Sequence, residues 1–278
     1  MLLAEPVAAA GWCASLSLGF ERRADRTVLA AKRHEGPLLV QKPLYPEGGA
    51  VCHAIVVHPP GGVAGGDALE IALDSGPGAH ALLTTPGAGK WYRSSGAEAA
   101  QAIEIQASGT LEWLPQESIV FDGALARMQT RVRLARQARY IGWEIVCLGR
   151  SGSGERFARG ACRIETRLER EQRLLYFERA SIEGGAALLR ASAGLAGHPV
   201  FGTLLASAPG FGRGLVDECR RQAPAKGEGA VTLLPGVLVA RYLGGSSEAA
   251  KRYFTALWGV LRPALAGREA CEPRIWRT

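Results

Sequence analysis

The chain has 278 residues, 47% hydrophobic and 21% charged, with 36 glycines and 15 prolines. This composition excludes a disordered polymer and favours a turn-rich globular chain over one dominated by long helices. Dividing by about 150 residues per domain gives roughly two units, although all-β architectures approaching this size commonly form one. The formal charge of +7 arises from 28 arginines and 5 lysines against 26 acids. Between Arg127 and Arg179 the basic residues alternate with glutamates as on a solvated sheet face, so no nucleic-acid surface is expected.

Short alternating runs follow one another along the first two thirds: Thr27–Lys32, Ala54–Val57, Ala68–Leu73, His80–Thr84, Gln101–Ile105, Thr110–Leu114, Thr130–Leu134, Tyr140–Leu148, Cys162–Leu168 and Arg173–Glu178. They read as strands, spaced by about 8 to 12 residues. No helical pattern intervenes, so a parallel sheet of the βαβ kind is not expected. No repeat of fixed period is visible, which leaves stacked or β-helix-like structure without the signature of a regular solenoid.

Helical spacing appears late. Ala250, Tyr253, Phe254, Leu257, Val260 and Leu261 share one face of a segment from Ser246 to Leu261, with Ser246 or Ser247 as its cap and Glu248 in its first turn. Pro263 disfavours helical geometry at Arg262, and Gly267 marks a later break. A weaker helix is expected over Arg213–Gln222. No linker divides the parts, so the expectation is a mainly β single domain over residues 1–278, strand-rich from 12 to 190 and helix-containing from 191 to 278.

The six cysteines (Cys13, Cys52, Cys147, Cys162, Cys219 and Cys271) form no C-x-x-C pair, which suits reduced thiols in the cytoplasm better than a disulfide framework or a zinc module. Met1–Ala10 lacks a basic leader pattern, and no apolar run approaches about 18 residues. Neither a leader nor a membrane span is expected, and the chain should be soluble.

The run from His58 to Asp67 holds Gly61, Gly62, Gly65 and Gly66 with two prolines, which specifies a tight loop with positive-φ positions or close backbone approach. It lacks the phosphate-binding pattern G-x-x-x-x-G-K-[ST], and Gly87-Ala88-Gly89-Lys90 continues into Trp91. Gly149–Glu155 fits neither a dinucleotide fingerprint nor a nucleophile elbow. His34, His53, His58, His80 and His198 are scattered, and no catalytic assembly can be picked out.

Cys52, His53 and His58 are ligand types suited to zinc or nickel, but neighbours on a strand face opposite ways. Cys52 and His58 share a parity yet would stand roughly 20 Å apart along a regular strand. A compact permanent metal site is therefore not expected; Cys52 reads as a small buried residue and His53 as locally packed or hydrogen-bonded. Asp67, Glu112, Glu117, Asp122, Glu144 and Glu155 are ordinary surface or turn carboxylates, Asp122-Gly123 being a hairpin signal, unless several face an enclosed wet passage. There they would stabilise a hydrated dication.

Taken together, Cys52-His53, the His58–Asp67 run, Thr84–Ala88, Lys90–Arg93, Leu111–Glu117, Phe121–Ala124 and Gly149-Arg150 with Ser153–Glu155 resemble the urease accessory protein UreD family, called UreH in some bacteria. Pro199–Leu204, Arg241–Gly244 and Pro273–Thr278 extend the resemblance from about Trp12 to the last residue. Departures are slight: His198 stands where a polar amide is frequent, and Ser151-Gly152 where an alanine is usual.

The resemblance implies a β-rich, helix-like stack of strands with two helices. It further implies a non-catalytic maturation factor that binds apo-urease and, with a UreF scaffold and the GTP-hydrolysing UreG, helps deliver nickel. No permanent cofactor is expected, only Ni²⁺ in transit, and no partner among nucleic acids or membranes. Candidates for weak, passing metal contact are Cys52, His53, His58, Asp67, Glu117 and Asp122. Motif positions assigned to structure or partner contact are Gly61, Gly62, Gly65, Gly66, Lys90, Trp91, Arg93, Arg150, Glu155 and Arg241. The competing reading is a metal-dependent hydrolase of unknown substrate, which would require a tight ligand set.

Overall fold

A computed structural model describes residues 11–210 and 212–277. Met1–Ala10, Phe211 and the terminal Thr278 of the last motif lie outside the described residues.

Two sheets stack face to face. The first contains β1 (Cys13–Arg23), β2 (Arg26–Glu35), β6 (Ala68–Ser75), β9 (Ala99–Ala107), β12 (Leu125–Leu134), β14 (Ala161–Arg170) and β15 (Arg173–Glu183), in spatial order β15-β14-β12-β9-β6-β1-β2. The second contains β3 (Leu39–Val40), β4 (Cys52–Val57), β7 (His80–Thr84), β10 (Thr110–Trp113), β13 (Arg139–Leu148), β16 (Val200–Ser207), β17 (Glu228–Leu234) and β18 (Val237–Gly244), in order β17-β18-β16-β13-β10-β7-β4-β3. Three short strands, β5 (Gly62–Val63), β8 (Gly89–Trp91) and β11 (Ser118–Val120), form a side ladder that joins β13.

All ten sequence-derived strands are present, and the mainly β class with late helices holds. Through the middle of the stack the chain passes from one sheet to the other and back, so strands pair in parallel with their counterparts from the coil before, β6 with β9, β9 with β12 and β4 with β7. The flanking pairs β1–β2, β14–β15, β13–β16, β16–β18, β17–β18 and β3–β4 are antiparallel. The coils begin at residues 52, 80, 110 and 139, spacings of 28 to 30 residues. This is a parallel stack without crossover helices. Its period leaves no sequence repeat because the rungs are filled by different residues. One inner rung reads Leu16, Ile71, Ile103, Thr130, Thr166; the next reads Leu18, Leu73, Ile105, Val132, Leu168.

Period-two alternation builds two cores. On β13, Tyr140, Val146 and Leu148 face the first sheet, whereas Ile141, Trp143, Ile145 and Cys147 face the helices. The strand is therefore buried on both sides, which explains its nearly continuous apolar run. The outer face of the first sheet carries the Arg/Glu alternation as ion pairs, including Arg127 and Arg163 on Glu98, and Arg131 and Arg133 on Glu104.

Helix α1 (Arg213–Arg220) packs on β17 and on α2 (Ser247–Ala266), which lies across β13, β16 and β18. Ser246 caps α2 by accepting the Ala249 N–H, and Tyr253, Phe254, Leu257, Trp258 and Leu261 fill the second core. The helix does not end before Pro263. It runs through the proline to Ala266 and closes at Gly267, whose φ of 65° is left-handed. Tertiary anchoring outweighs the loss of one backbone hydrogen bond, because Arg262 is pinned by two carboxylates and Leu265 is buried.

Asp122-Gly123 is likewise not a hairpin. β11 and β12 on either side belong to different ladders, and the Asp122 carboxylate accepts the Ala158 and Arg159 N–H groups and the Arg159 guanidinium. The pair turns a coil corner. Among the described residues no helix is long and apolar enough to cross a membrane.

Candidate functional site

Between the sheets the apolar rungs give way to a cavity of about 330 Å³. Its wall includes Gln101, Thr130 and Thr166 from the first sheet and Glu144 and Thr203 from the second. Parity places these groups: Thr130 and Thr166 occupy the rung continued from Ile71 and Ile103, and Glu144 lies two residues from Gly142 on the inward face of β13. Gly142 cannot carry a side chain, since a Cβ would fall 2.0 Å from the Tyr140 hydroxyl. Exposed Gly61, Gly87, Gly89 and Lys90 mark the open side, with His58 and Gly62 beside them.

Glu144 is the one carboxylate among the described residues of this wall. Burial, reinforced by the nearby negative charge of Glu178, pushes its carboxyl up to about 7. Glu178 itself is clamped: Arg241 reaches Glu178 at 2.5 Å and the Tyr176 hydroxyl at 2.9 Å, and Tyr176 donates to Glu178 at 2.7 Å. This clamp ties edge strand β15 of one sheet to β16 and β18 of the other. The result is a mostly apolar cavity into which Glu144, Gln101, Thr130, Thr166 and Thr203 bring a small group of polar side chains.

The sequence-derived candidates are dispersed. His58 lines the cavity; burial lowers its proton affinity against the opposing pull of Asp67, which keeps an imidazole lone pair available. Asp67, Glu117 and Asp122 are off the cavity wall. Asp67 accepts the Trp12 N–H and the Ala64 N–H, both at 2.8 Å, and so closes the glycine-rich loop. Glu117 accepts the Ser247 hydroxyl at 3.1 Å beside the start of α2. Cys52 is fully buried, and burial raises its thiol proton affinity, which disfavours the metal-binding thiolate.

His53 points the other way, toward α2, into a buried charge network. Its Nε2 lies 2.6 Å from Glu47 Oε1, and Arg262 spans Glu47 and Glu112, with Nε 3.0 Å from Glu112 Oε1. Trp258 Nε1 donates to Glu112 at 2.5 Å, and His80 Nε2 lies 2.6 Å from the same carboxylate. The register explains this grouping, since His53, Leu82, Glu112 and Ile141 are aligned across β4, β7, β10 and β13 on the helix-facing side.

The motif residues have structural partners of their own. Trp91 is buried; Arg150 pairs with Glu155 at 2.9 Å and lies over the Phe121 ring, while Glu155 also accepts the Asp122 N–H. Gly61 and Gly66 adopt left-handed φ of 73° and 96°. A Cβ at Gly62 would run into the Tyr92 ring, and one at Gly65 would meet Ser94 Oγ and the Ala97 carbonyl. Lys90 and Arg93 are exposed.

Sequence reasoning counted Glu144 among several acids without giving it a place, and it missed Thr166, Glu178 and Thr203. Strand parity carried the only signal, and it needs the register to be read. Among the described residues no group of three or more His, Cys, Asp or Glu side chains stands close enough to hold a metal ion.

A two-sheet, largely parallel β stack around an apolar core with an internal cavity, and a helical pair on one flank, defines the class of the molecule. The chain belongs to the UreD urease accessory protein family, whose model matches residues 13–277. It is 57% identical over 270 residues to the urease accessory protein UreD of Azoarcus sp., covering 96% of this chain and 95% of the relative. The UreD of Dechloromonas aromatica is 54% identical over 282 residues, covering 99% and 98%, and that of Pseudomonas aeruginosa strain PAO1 is 50% identical over 270 residues, covering 96% and 95%.

Proposed function

We propose that this protein is a non-catalytic maturation factor of the cytoplasm that binds apo-urease and, with a UreF-like scaffold and a UreG-like GTPase, assists nickel insertion. Ni²⁺ is cargo in this reading, and the cavity between the sheets is its passage. Kinship supports the urease role, and the observation that carries the passage is the inward Glu144 carboxyl grouped with Gln101, Thr130, Thr166 and Thr203 on an otherwise mostly apolar wall. Hydroxyl, amide and carboxyl oxygens hold a hydrated dication weakly enough to release it, whereas three or four His or Cys ligands would retain it. His58 at the open side supplies one nitrogen donor. The hydrolase alternative requires a closed ligand set that the described residues do not assemble.

Glu144→Gln preserves shape and removes the charge. The test purifies the variant with apo-urease and the partner proteins, confirms assembly, and measures nickel in the urease. Intact assembly with reduced loading is expected. Full loading by an intact Glu144→Gln complex would overturn the passage, and failure of the wild-type chain to associate with apo-urease would overturn the maturation role.

A further inference from the structure

At one end of the stack the turns between the sheets lie one above another: the turn after β6 at 76–79, the turn after β9 at 108–109 and the turn after β12 at 135–138. They are stitched together, with Gly109 N–H on the Ser75 carbonyl at 3.1 Å, Thr110 N–H on Ala79 at 2.8 Å and Arg139 N–H on Gly109 at 2.9 Å. Gly109 is required here, since a Cβ would sit 2.3 Å from the Ala79 carbonyl oxygen. These turns, with Ala266 and Arg268 at the end of α2, enclose a hollow of about 390 Å³.

The hollow is basic. Arg22, Arg139, Arg268 and His80 line it, and among the described residues no aspartate or glutamate does. Arg22 donates only to the Ala24 carbonyl, and among the described residues Arg139 and Arg268 have neither an ion pair nor a hydrogen bond from their side chains. Behind the third turn, Arg170 donates to the Ala135, Arg136 and Ala138 carbonyls and to Ser207, so its charge meets no carboxylate in direct contact, and Glu171 acts on it only through space. Many guanidinium groups on the outer face of the first sheet are matched to glutamates, whereas Arg33 on β2 is, among the described residues, unpaired like those of the hollow but stands outside it. His80 spends Nε2 on Glu112, and among the described residues its Nδ1 has no partner.

We infer that this hollow binds a phosphate-type oxyanion, gripped by the guanidinium groups of Arg22, Arg139 and Arg268 over a floor of stacked turns. Guanidinium forks match the paired oxygens of phosphate, and the stitched turns fix the floor before the ligand arrives. The C-terminal end of α2 opposes this with roughly half a negative charge, which three guanidinium groups outweigh. The site is independent of the nickel passage, since no residue lines both cavities.

The probes are inorganic phosphate and pyrophosphate, added to the full chain at constant ionic strength with chloride as the control, and read by isothermal calorimetry. Saturable heat with phosphate and none with chloride is expected. Arg139→Gln combined with Arg268→Gln should weaken phosphate binding about tenfold or more, while Arg33→Gln on exposed β2 should leave it unchanged. Tighter binding of pyrophosphate would assign the site to the end of a polyphosphate, and equal binding to a lone phosphate. Heat that never saturates, or equal affinity in the double variant and the wild type, would overturn the assignment.

Discussion

Arg262 and Glu112, 150 residues apart, meet in the interior with Nε 3.0 Å from Oε1, and neither side chain is exposed to any measurable extent. The pair fastens α2 to the middle of the second sheet. Burial raises the proton affinity of Glu112, but hydrogen bonds from His80 and Trp258 and the charge of Arg262 outweigh it and hold the carboxyl below its ordinary range. Arg262→Met leaves Glu112 and Glu47 without their cation and should cost about 3–5 kcal/mol in urea unfolding. Adding Glu112→Gln should restore part of that loss, because the stranded charge is gone. Equal stability of Arg262→Met and wild type would show that the network does not hold the helix.

The acid limb of stability should be set in part by Glu47. Burial alone would raise its carboxyl, yet hydrogen bonds from His53 and Arg262 bring it down to about 2. A depressed folded value stabilises above the ordinary carboxylate pKa, and that contribution fades as pH falls from about 4.5 toward 2. The urea midpoint of the wild type should drop through this window. Glu47→Gln should be less stable at pH 7 and show a shallower drop; parallel curves would exclude Glu47 as the titrating group.

Glu144 has the opposite sign. Its folded value of about 7 is raised, so the stability it contributes is complete below about 4.5 and is lost as pH rises through 7. Glu144→Gln, freed of that penalty, should be roughly 1–3 kcal/mol more stable than wild type at pH 8 and equal to it near pH 4.5. Thermal melts of both proteins across this range decide the matter, and a pH-independent difference would remove Glu144 as its source.

Leu257 on α2 is fully buried in the second core. Leu257→Ala should cost about 2–5 kcal/mol in chemical unfolding, through lost transfer energy and the cavity left behind. A fully stable variant that only fails to bind a partner would place Leu257 at an interface instead of in the core.

Much of the architecture was legible because it is local. Alternation marked ten strands, and the spacing of Tyr253, Phe254, Leu257 and Leu261 marked α2. The quoted motifs, read together, pointed to the UreD family. Other features required the tertiary structure. The 28-to-30-residue coil has no sequence repeat, since a parallel rung asks only for side chains that fill it, and leucine, isoleucine and threonine all do. Pro263 forbids a helix only locally, and the buried pairing of Arg262 overrides it. The Asp122-Gly123 turn follows a coil corner because its carboxylate finds Ala158 and Arg159, a contact with no local signal. Glu144 looked like any acid in the chain; only the register, which turns it inward opposite Thr203, gives it a raised proton affinity and a place on the cavity wall.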